Sequence, residues 1–349
     1  MTSDEIFEYL RERDVNKIIE LYRKADKIRE KCVGNKVFLR GIIEFSNYCN
    51  NTCSYCGLNS NRPGLKRYRM SIDEIISAAR ICAEHNIGTV VLQSGQDYGF
   101  SVDWMVEVIR KIKKEFGLVV TLSLGQRDYH ELKEWKAAGA DRYFLRFETS
   151  DDELYKKLHP GKNASFTDRI KVLEMAKSLG YEIGSGIMIG IPGQKLESLL
   201  DDIALFNELD VDMIGVGPYI PHPETELGKQ KIQLQNVDEL VYKVIAITRI
   251  TKPYTNIPAT TALATVNFLD GYKKGLMCGA NVIMPNITPI HYKSLYEIYP
   301  TRLSKLSEEE LIQKIKSFII ECDREVGKGR GDSLNFLRRR RLFNYVRAK

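Results

Sequence analysis

Cys49-Asn50-Asn51-Thr52-Cys53-Ser54-Tyr55-Cys56 is a C-x3-C-x2-C run. Three thiolates this close suffice for three corners of an iron–sulfur cube, which normally takes four. The next cysteine along the chain is Cys82, far outside the run. One iron would therefore stay open to a small molecule, as catalytic metal sites keep one position open. A zinc knuckle would want a fourth ligand at a characteristic spacing. The nearest downstream histidine, His85, has no partner at that spacing and sits in a helical pattern. Core thiols would follow helix or strand periodicity, whereas these lie among Asn, Thr, Ser and Gly, which is loop chemistry.

The loop follows a strand candidate, Val37 to Phe45, and the pattern then repeats. Further strands are expected at Thr89–Gln93, Val119–Leu124, Arg142–Glu148, Glu182–Ile191, Met213–Ile220, Asn256–Thr261 and Val282–Pro285. Helical patterns fill the intervals, the first opened by the capping box Ser71-x-x-Glu74 and one running on from strand four to Gly180. Alternating strand and helix at this spacing predicts a parallel sheet. Eight units in about 250 residues predict an α/β fold, a complete (βα)8 TIM barrel whose site lies at the C-terminal strand ends. Residues 1–36, with a capping box at Thr2-x-x-Glu5, are expected as one N-terminal helix layer. Residues 37–286 are expected as the barrel. Residues 287–349 are expected as a helical extension, with a capped helix from Ser307 to about Cys322 and a basic tail.

At 349 residues, 43% hydrophobic and 28% charged, the composition is that of a folded globular chain. No apolar run approaches the roughly 20 residues of a membrane span. The charged N-terminus lacks a signal-peptide core. Seven unevenly spread cysteines do not make a disulfide framework. A soluble protein of the reducing cytoplasm is expected, with no membrane partner. The net charge of +6 owes much to Arg338–Arg341, Arg347 and Lys349. Without an aromatic stacking platform or groove-reading motif, that run reads as a solvated terminus rather than a nucleic-acid surface.

Alternate residues of a strand share a face. In the fourth strand, Tyr143, Leu145 and Phe147 suit packing under helices. Arg142, Phe144, Arg146 and Glu148 then face inward. Arg40, Ile42 and Glu44 alternate in the same way with Leu39, Ile43 and Phe45, and Thr121 and Ser123 with Val120, Leu122 and Leu124. A barrel interior is ordinarily aliphatic, and isolated buried charges are costly. Inward charges on several strands therefore predict a polar, ligand-filled cavity, or structural ion pairs such as Arg40 with Glu44 and Arg146 with Glu148. Gln96, in a glycine-containing turn, and Thr260 and Thr261 mark further strand ends. Arg169, on a helix, reads equally well as solvent-facing.

The cysteine run, with an aromatic before its last cysteine and a strand before it, resembles the signature of radical S-adenosylmethionine (SAM) enzymes. Arg40–Asn47, Leu92–Gly95, Thr121–Gly125, Ala138–Arg146, Gly217–Pro223, Asn256–Thr261 and Cys278–Asn286 resemble, more narrowly, the HydE-type maturases of FeFe hydrogenase. The resemblance implies a 4Fe–4S cluster on Cys49, Cys53 and Cys56, with SAM chelating the open iron and yielding a 5′-deoxyadenosyl radical. It implies a SAM site at Glu148 and Arg169, with Tyr55, Gln96 and Ser123 contributing. It implies a substrate cavity lined by Arg142, Arg146, Thr121, Thr260, Thr261 and Tyr299. The implied substrate is a small anionic, organometallic one, an iron carbonyl–cyanide unit carrying cysteine, attacked at sulfur. A reductant protein such as ferredoxin or flavodoxin, and other hydrogenase maturases, are the implied partners. Many members carry three more cysteines near the C-terminus; here only Cys322 lies there, so no second cluster is expected. An amino-acid mutase of the 3-methylornithine synthase type would share fold, cluster and SAM site.

Overall fold

A computed structural model describes residues 1–161, 165–266, 268–300 and 306–347. Its strands are β1 (Lys36–Leu39), β2 (Gly41–Ser46), β3 (Thr89–Ser94), β4 (Val119–Ser123), β5 (Arg142–Phe144), β6 (Glu182–Ile189), β7 (Met213–Pro218), β8 (Pro258–Ala259), β9 (Val282–Ile283) and β10 (Glu325–Gly327). Two helices precede them, α1 (Ser3–Arg11) and α2 (Val15–Val33). Helices α3 (Ile72–Glu84), α4 (Val102–Phe116), α5 (Tyr129–Ala138), α6 (Asp152–Leu158), α7 (Phe166–Ser178), α8 (Leu196–Glu208), α9 (Val237–Thr251), α10 (Thr261–Val266) and α11 (Phe268–Met277) lie between strands. Then come α12 (Ile290–Lys293), α13 (Glu308–Glu321) and α14 (Leu334–Arg347).

The strands form one curled parallel sheet in the order β10-β1-β9-β8-β7-β6-β5-β4-β3-β2. Every expected strand is present, with the first interrupted at Arg40. Its halves part company there: β1 pairs with β9 and β10, and β2 pairs with β3. Just past β9, Asn286 bridges Ile42 of β2, and the Ile42 amide donates to Pro285 O at 2.9 Å.

The expected alternation sorts the faces. Ile43, Phe45, Val120, Leu122, Leu124, Tyr143, Leu145 and Phe147 all join the apolar core beneath the helices. Full burial of such a side chain contributes about 1.5–3 kcal/mol, so this parity sets which residues must line the concave face. There, Glu44 of β2, Gln93 of β3 and Ser123 of β4 stand in register at one level. All three, with Phe144 and Arg146, keep partial exposure. The concave face is therefore polar and open near the C-terminal strand ends.

Three expectations change. The N-terminal helix is two helices. Glu12 ends α1, its carboxylate accepting the amides of Arg13 and Asp14 at 2.8 and 2.9 Å, and Asp14 caps α2. The helix running on to Gly180 is α6 and α7, and residues 162–164 between them lie outside the described residues. The basic tail is not simply solvated. Arg339 pairs with Asp210 at 2.9 Å and Asp212 at 2.5 Å, and Arg338 lies 3.9 Å over the Tyr254 ring. Lys349 lies outside the described residues. The capping boxes at Thr2, Ser71 and Ser307 are all formed.

The segment after β10 folds back under the N-terminal strand ends. Arg142, fully buried, donates to Glu182 at 2.7 Å, Thr89 Oγ1 at 3.0 Å, and Asp332 and the Arg330 carbonyl at 2.8 Å each. Arg40 donates to Gly331 O at 3.3 Å and approaches Glu182 at 4.0 Å. These charges form a floor. Among the described residues no helix is long and apolar enough to cross a membrane.

Candidate functional site: a cysteine loop over a polar cavity

The cysteine loop leaves the C-terminal end of β2 and is held from every side. Thr52 Oγ1 donates to Pro160 O at 2.5 Å, and the Ser54 amide to Leu158 O at 2.9 Å, both at the end of α6. The Gly57 amide donates to Ile298 O at 2.8 Å, and the Asn50 amide to Gln96 O at 2.9 Å. Gly95 is required for this approach, because a Cβ there would strike Tyr48 O and Cys49 Cβ. Beneath it, Asp97 accepts from Ser46 Oγ at 2.6 Å and from Arg69 at 2.7 and 2.9 Å. Ser46 Oγ in turn accepts the Tyr48 amide at 3.2 Å.

Cys53 is buried, and Cys49 and Cys56 are partly so. Backbone amides of Asn51 and Leu58 donate to Cys49 Sγ and Cys56 Sγ, each at 3.4 Å. Burial pushes the Cys53 thiol up to about 12, and burial and the neighbouring thiols raise Cys56 too. Such groups ionise when a metal takes the proton's place. Among the described residues no three His, Cys, Asp or Glu side chains converge as ligands of one ion. A cube gives each thiolate its own iron, so convergence on one point is not its requirement. Three thiols on one pinned loop, two of them already accepting amide hydrogens, fit a cluster.

Next to the thiols lies a charged cluster. Glu148, at a positive φ of 68°, receives Arg146 Nε at 2.9 and 3.1 Å and the Tyr55 hydroxyl at 3.4 Å. Arg169 is 7% exposed and donates to the Arg146 carbonyl at 2.5 Å. Its Nη2 meets His159 Nε2 at 3.0 Å, while Nε has no partner among the described residues. Burial opposes its charge, but Tyr55, Tyr155, Cys53 and Glu148 around it keep it firmly protonated. Burial and Arg169 drive His159 well below its ordinary value, so its Nε2 accepts and its Nδ1 donates to Tyr155 O at 3.2 Å. A buried cation near Cys53 and Glu148, with one unused N–H, suits a ligand carboxylate. The solvent-facing alternative for Arg169 is thus a misfit with the structure. Gln96 is a brace, its Oε1 accepting from Gln126 N at 2.9 Å and Asn51 Nδ2 at 3.2 Å.

The residues expected in the cavity divide. Arg146 and Ser123 lie near the thiol end, half-buried. Thr121 is buried on the same wall, one inward position below Ser123, and its hydroxyl lacks a partner among the described residues. Thr260 Oγ1 donates to Val216 O at 3.2 Å, and Thr261 opens α10. Tyr299 hydrogen-bonds Thr265 and senses both Glu44 and Arg146; burial lifts its hydroxyl to about 12. Arg142 does not join them. It faces inward as expected, but it starts its strand, so it belongs to the floor at the opposite end. The Arg40–Glu44 pair is not made either, because Arg40 points to the floor and Glu44 to the cavity. Sequence reasoning missed His159, Asp97 and Tyr296. Tyr296 is buried and hydrogen-bonds Gln93. None of the three carries a spacing that marks it.

The Radical SAM superfamily model matches residues 43–206. The [FeFe] hydrogenase maturase subunit HydE of Thermotoga maritima is 44% identical over 319 residues, covering 87% of this chain and 89% of that protein. A 3-methylornithine synthase of Methanosarcina acetivorans is 33% identical, covering 81% and 79%. Among solved structures, methylornithine synthase (PylB) superposes with a TM-score of 0.83 at 28% identity, over 94% of each chain. The maturase HydG superposes at 0.77 and 20% identity, over 93% of this chain and 71% of the other, a likeness of fold. With these relatives and this cysteine loop, the chain belongs to the radical SAM superfamily as a HydE-type member, an enzyme that uses a 4Fe–4S cluster and SAM.

Proposed function

We propose that this enzyme acts in maturation of FeFe hydrogenase, on the sulfur of a cysteine-bearing iron carbonyl–cyanide precursor of the diiron subcluster. The observation that carries the reading is the polar, partly open wall formed by Glu44, Gln93 and Ser123 at one level and Arg146 one inward position above it, near the cysteine loop. The cluster and SAM, when bound, supply a one-electron cleavage of the sulfonium to a 5′-deoxyadenosyl radical. The chain supplies position and exclusion of water. Cys49, Cys53 and Cys56 hold the cluster. Glu148 and Arg169 bind SAM, with Tyr55, Gln96 and Ser123 shaping its site. Arg146, Thr121, Thr260, Thr261 and Tyr299 line the substrate cavity. The Ile42–Asn286 bridge supports reading the sheet as a closed eight-unit barrel, which leaves the cysteine end as the mouth.

Seven free thiols support a reducing, cytoplasmic setting. A ferredoxin or flavodoxin reductant and other hydrogenase maturases are the partners this reading requires. The test is activation of apo-hydrogenase in a lysate, with and without this protein. Activation that does not depend on the added protein refutes the proposal. The similarity to 3-methylornithine synthases favours a second reading, an amino-acid mutase. Isomer formation from lysine, without hydrogenase activation, would select it.

A further inference from the structure

Glu44 is the acid that the site described above leaves unused. It stands on the concave face of β2, in register with Gln93, between Ile43 and Phe45, which point into the helical core. Its backbone is fixed, the amide donating to Thr288 Oγ1 at 2.8 Å. Asn286 Nδ2 donates to Oε2 at 2.8 Å. Among the described residues Oε1 has no donor, and Glu44 enters no ion pair. Of the other buried carboxylates among the described residues, all but Asp202 are matched: Glu182 with Arg142, Asp97 with Arg69, Asp212 with Arg339, Glu148 with Arg146. The nearest ammonium acting on Glu44 is Lys293, which is tied to Glu308 at 2.7 Å. Tyr68, Tyr296 and Tyr299 are neutral phenols whose hydroxyls Glu44 raises further.

A carboxylate on a cavity wall without a cation is costly unless a ligand brings one. Arg146, three strands along the sheet, offers the opposite charge to the same cavity. Its Nη1 lies over Gly215, where a Cβ would stand 3.8 Å away. The Tyr299 hydroxyl lies within electrostatic reach of both groups.

We propose that Glu44 anchors a positively charged amino group of the substrate while Arg146 faces its carboxylate, so that the cavity takes an α-amino acid or a compound carrying one. This rests on the reading that the cavity holds substrate, and it applies to either reaction proposed above. Burial holds the Glu44 carboxyl up at about 7, against the pull of Asn286 and Lys293. Preference for an amine therefore strengthens as pH rises from about 6 to about 8, while the ligand ammonium stays charged.

The experiment uses the reconstituted holoprotein with SAM and a chemical reductant, following 5′-deoxyadenosine release. S-methyl-L-cysteine is compared with 3-(methylthio)propionate, which lacks only the amine, and L-lysine with 6-aminohexanoate, which lacks the α-amine. The amine-bearing member of at least one pair is expected to act at a concentration about tenfold lower or more, the scale of one charge-assisted hydrogen bond. In Glu44→Gln the ratio is expected to fall to within about twofold of unity while SAM affinity holds, and Glu44→Asp is expected to keep part of it. A wild-type ratio near one for both pairs, an undiminished ratio in Glu44→Gln, or no response to any amine-bearing compound overturns the proposal. If Glu44→Gln loads no cluster, Glu44→Asp replaces it, and a ratio equal to wild type overturns the proposal. Amine preference without hydrogenase activation removes the maturation reading alone; activation without amine preference removes this inference alone.

Discussion

Arg142→Met separates the floor from the cavity. Arg142 is fully buried and makes hydrogen bonds to Glu182, Asp332, Thr89 and the Arg330 carbonyl. Methionine fills similar volume but strands Glu182, which is 1% exposed. Breaking a buried pair by removing one partner costs about 3–5 kcal/mol. The low end applies, because Glu182 retains the Ser333 amide at 3.1 Å and Arg40 at 4.0 Å. Melting points shift by roughly 2–4 °C per kcal/mol at 150–250 residues and less in longer chains. A drop of about 5 °C or more is therefore expected in calorimetry of the reconstituted protein at fixed scan rate. Below that temperature SAM affinity and 5′-deoxyadenosine release per folded molecule should match wild type. A variant that melts with wild type yet loses turnover would put Arg142 back in the cavity and refute the placement of the floor.

Cys53→Ala should yield a colourless protein with no cluster iron by metal analysis and absorbance, and a brown product would mean the loop uses another ligand. Arg169→Lys keeps the charge but loses the fork that bonds Arg146 O and His159; SAM binding by calorimetry should weaken roughly ten- to hundredfold, the scale of one charge-assisted hydrogen bond, and unchanged affinity would deny it a role. Asp202, fully buried, receives Ser150 N and Oγ on Oδ1 while Oδ2 has no partner among the described residues, and burial lifts its carboxyl to about 7. The folded state thus holds a proton that the unfolded chain releases near 3.8, so wild-type stability falls as pH rises through that window. Asp202→Asn should flatten the fall and melt higher than wild type at about pH 8 but not at about pH 4, and parallel pH profiles would show Asp202 ionised when folded.

Much of the fold was legible because strand periodicity and core burial follow one rule. Ile43, Phe45, Tyr143, Leu145 and Phe147 could only go under helices, and that choice placed Arg146 and Glu44 on the concave face. The thiol loop was legible from spacing alone. What periodicity cannot give is height along a strand. Arg142 and Arg146 share parity, yet one starts its strand and meets Glu182, while the other lies past its end and meets Glu148. Nor does local pattern reveal partners far along the chain. Asp332 lies 190 residues from Arg142, and nothing near either residue announces the other. His159 was silent for another reason: its partner Arg169 is only ten residues on, but their meeting depends on how the ends of α6 and α7 come together, which no local spacing states.

The Arg330–Ser333 segment also fixes an order of events during synthesis. It is translated after every strand of the sheet, and N-terminal parts fold first as a chain emerges. Until it arrives, Arg142, Glu182 and Arg40 stand hydrated at an unsealed base. A ribosome that stalls before this point releases a molecule whose cysteine loop is already present but whose underside admits water, an early target for cellular proteases.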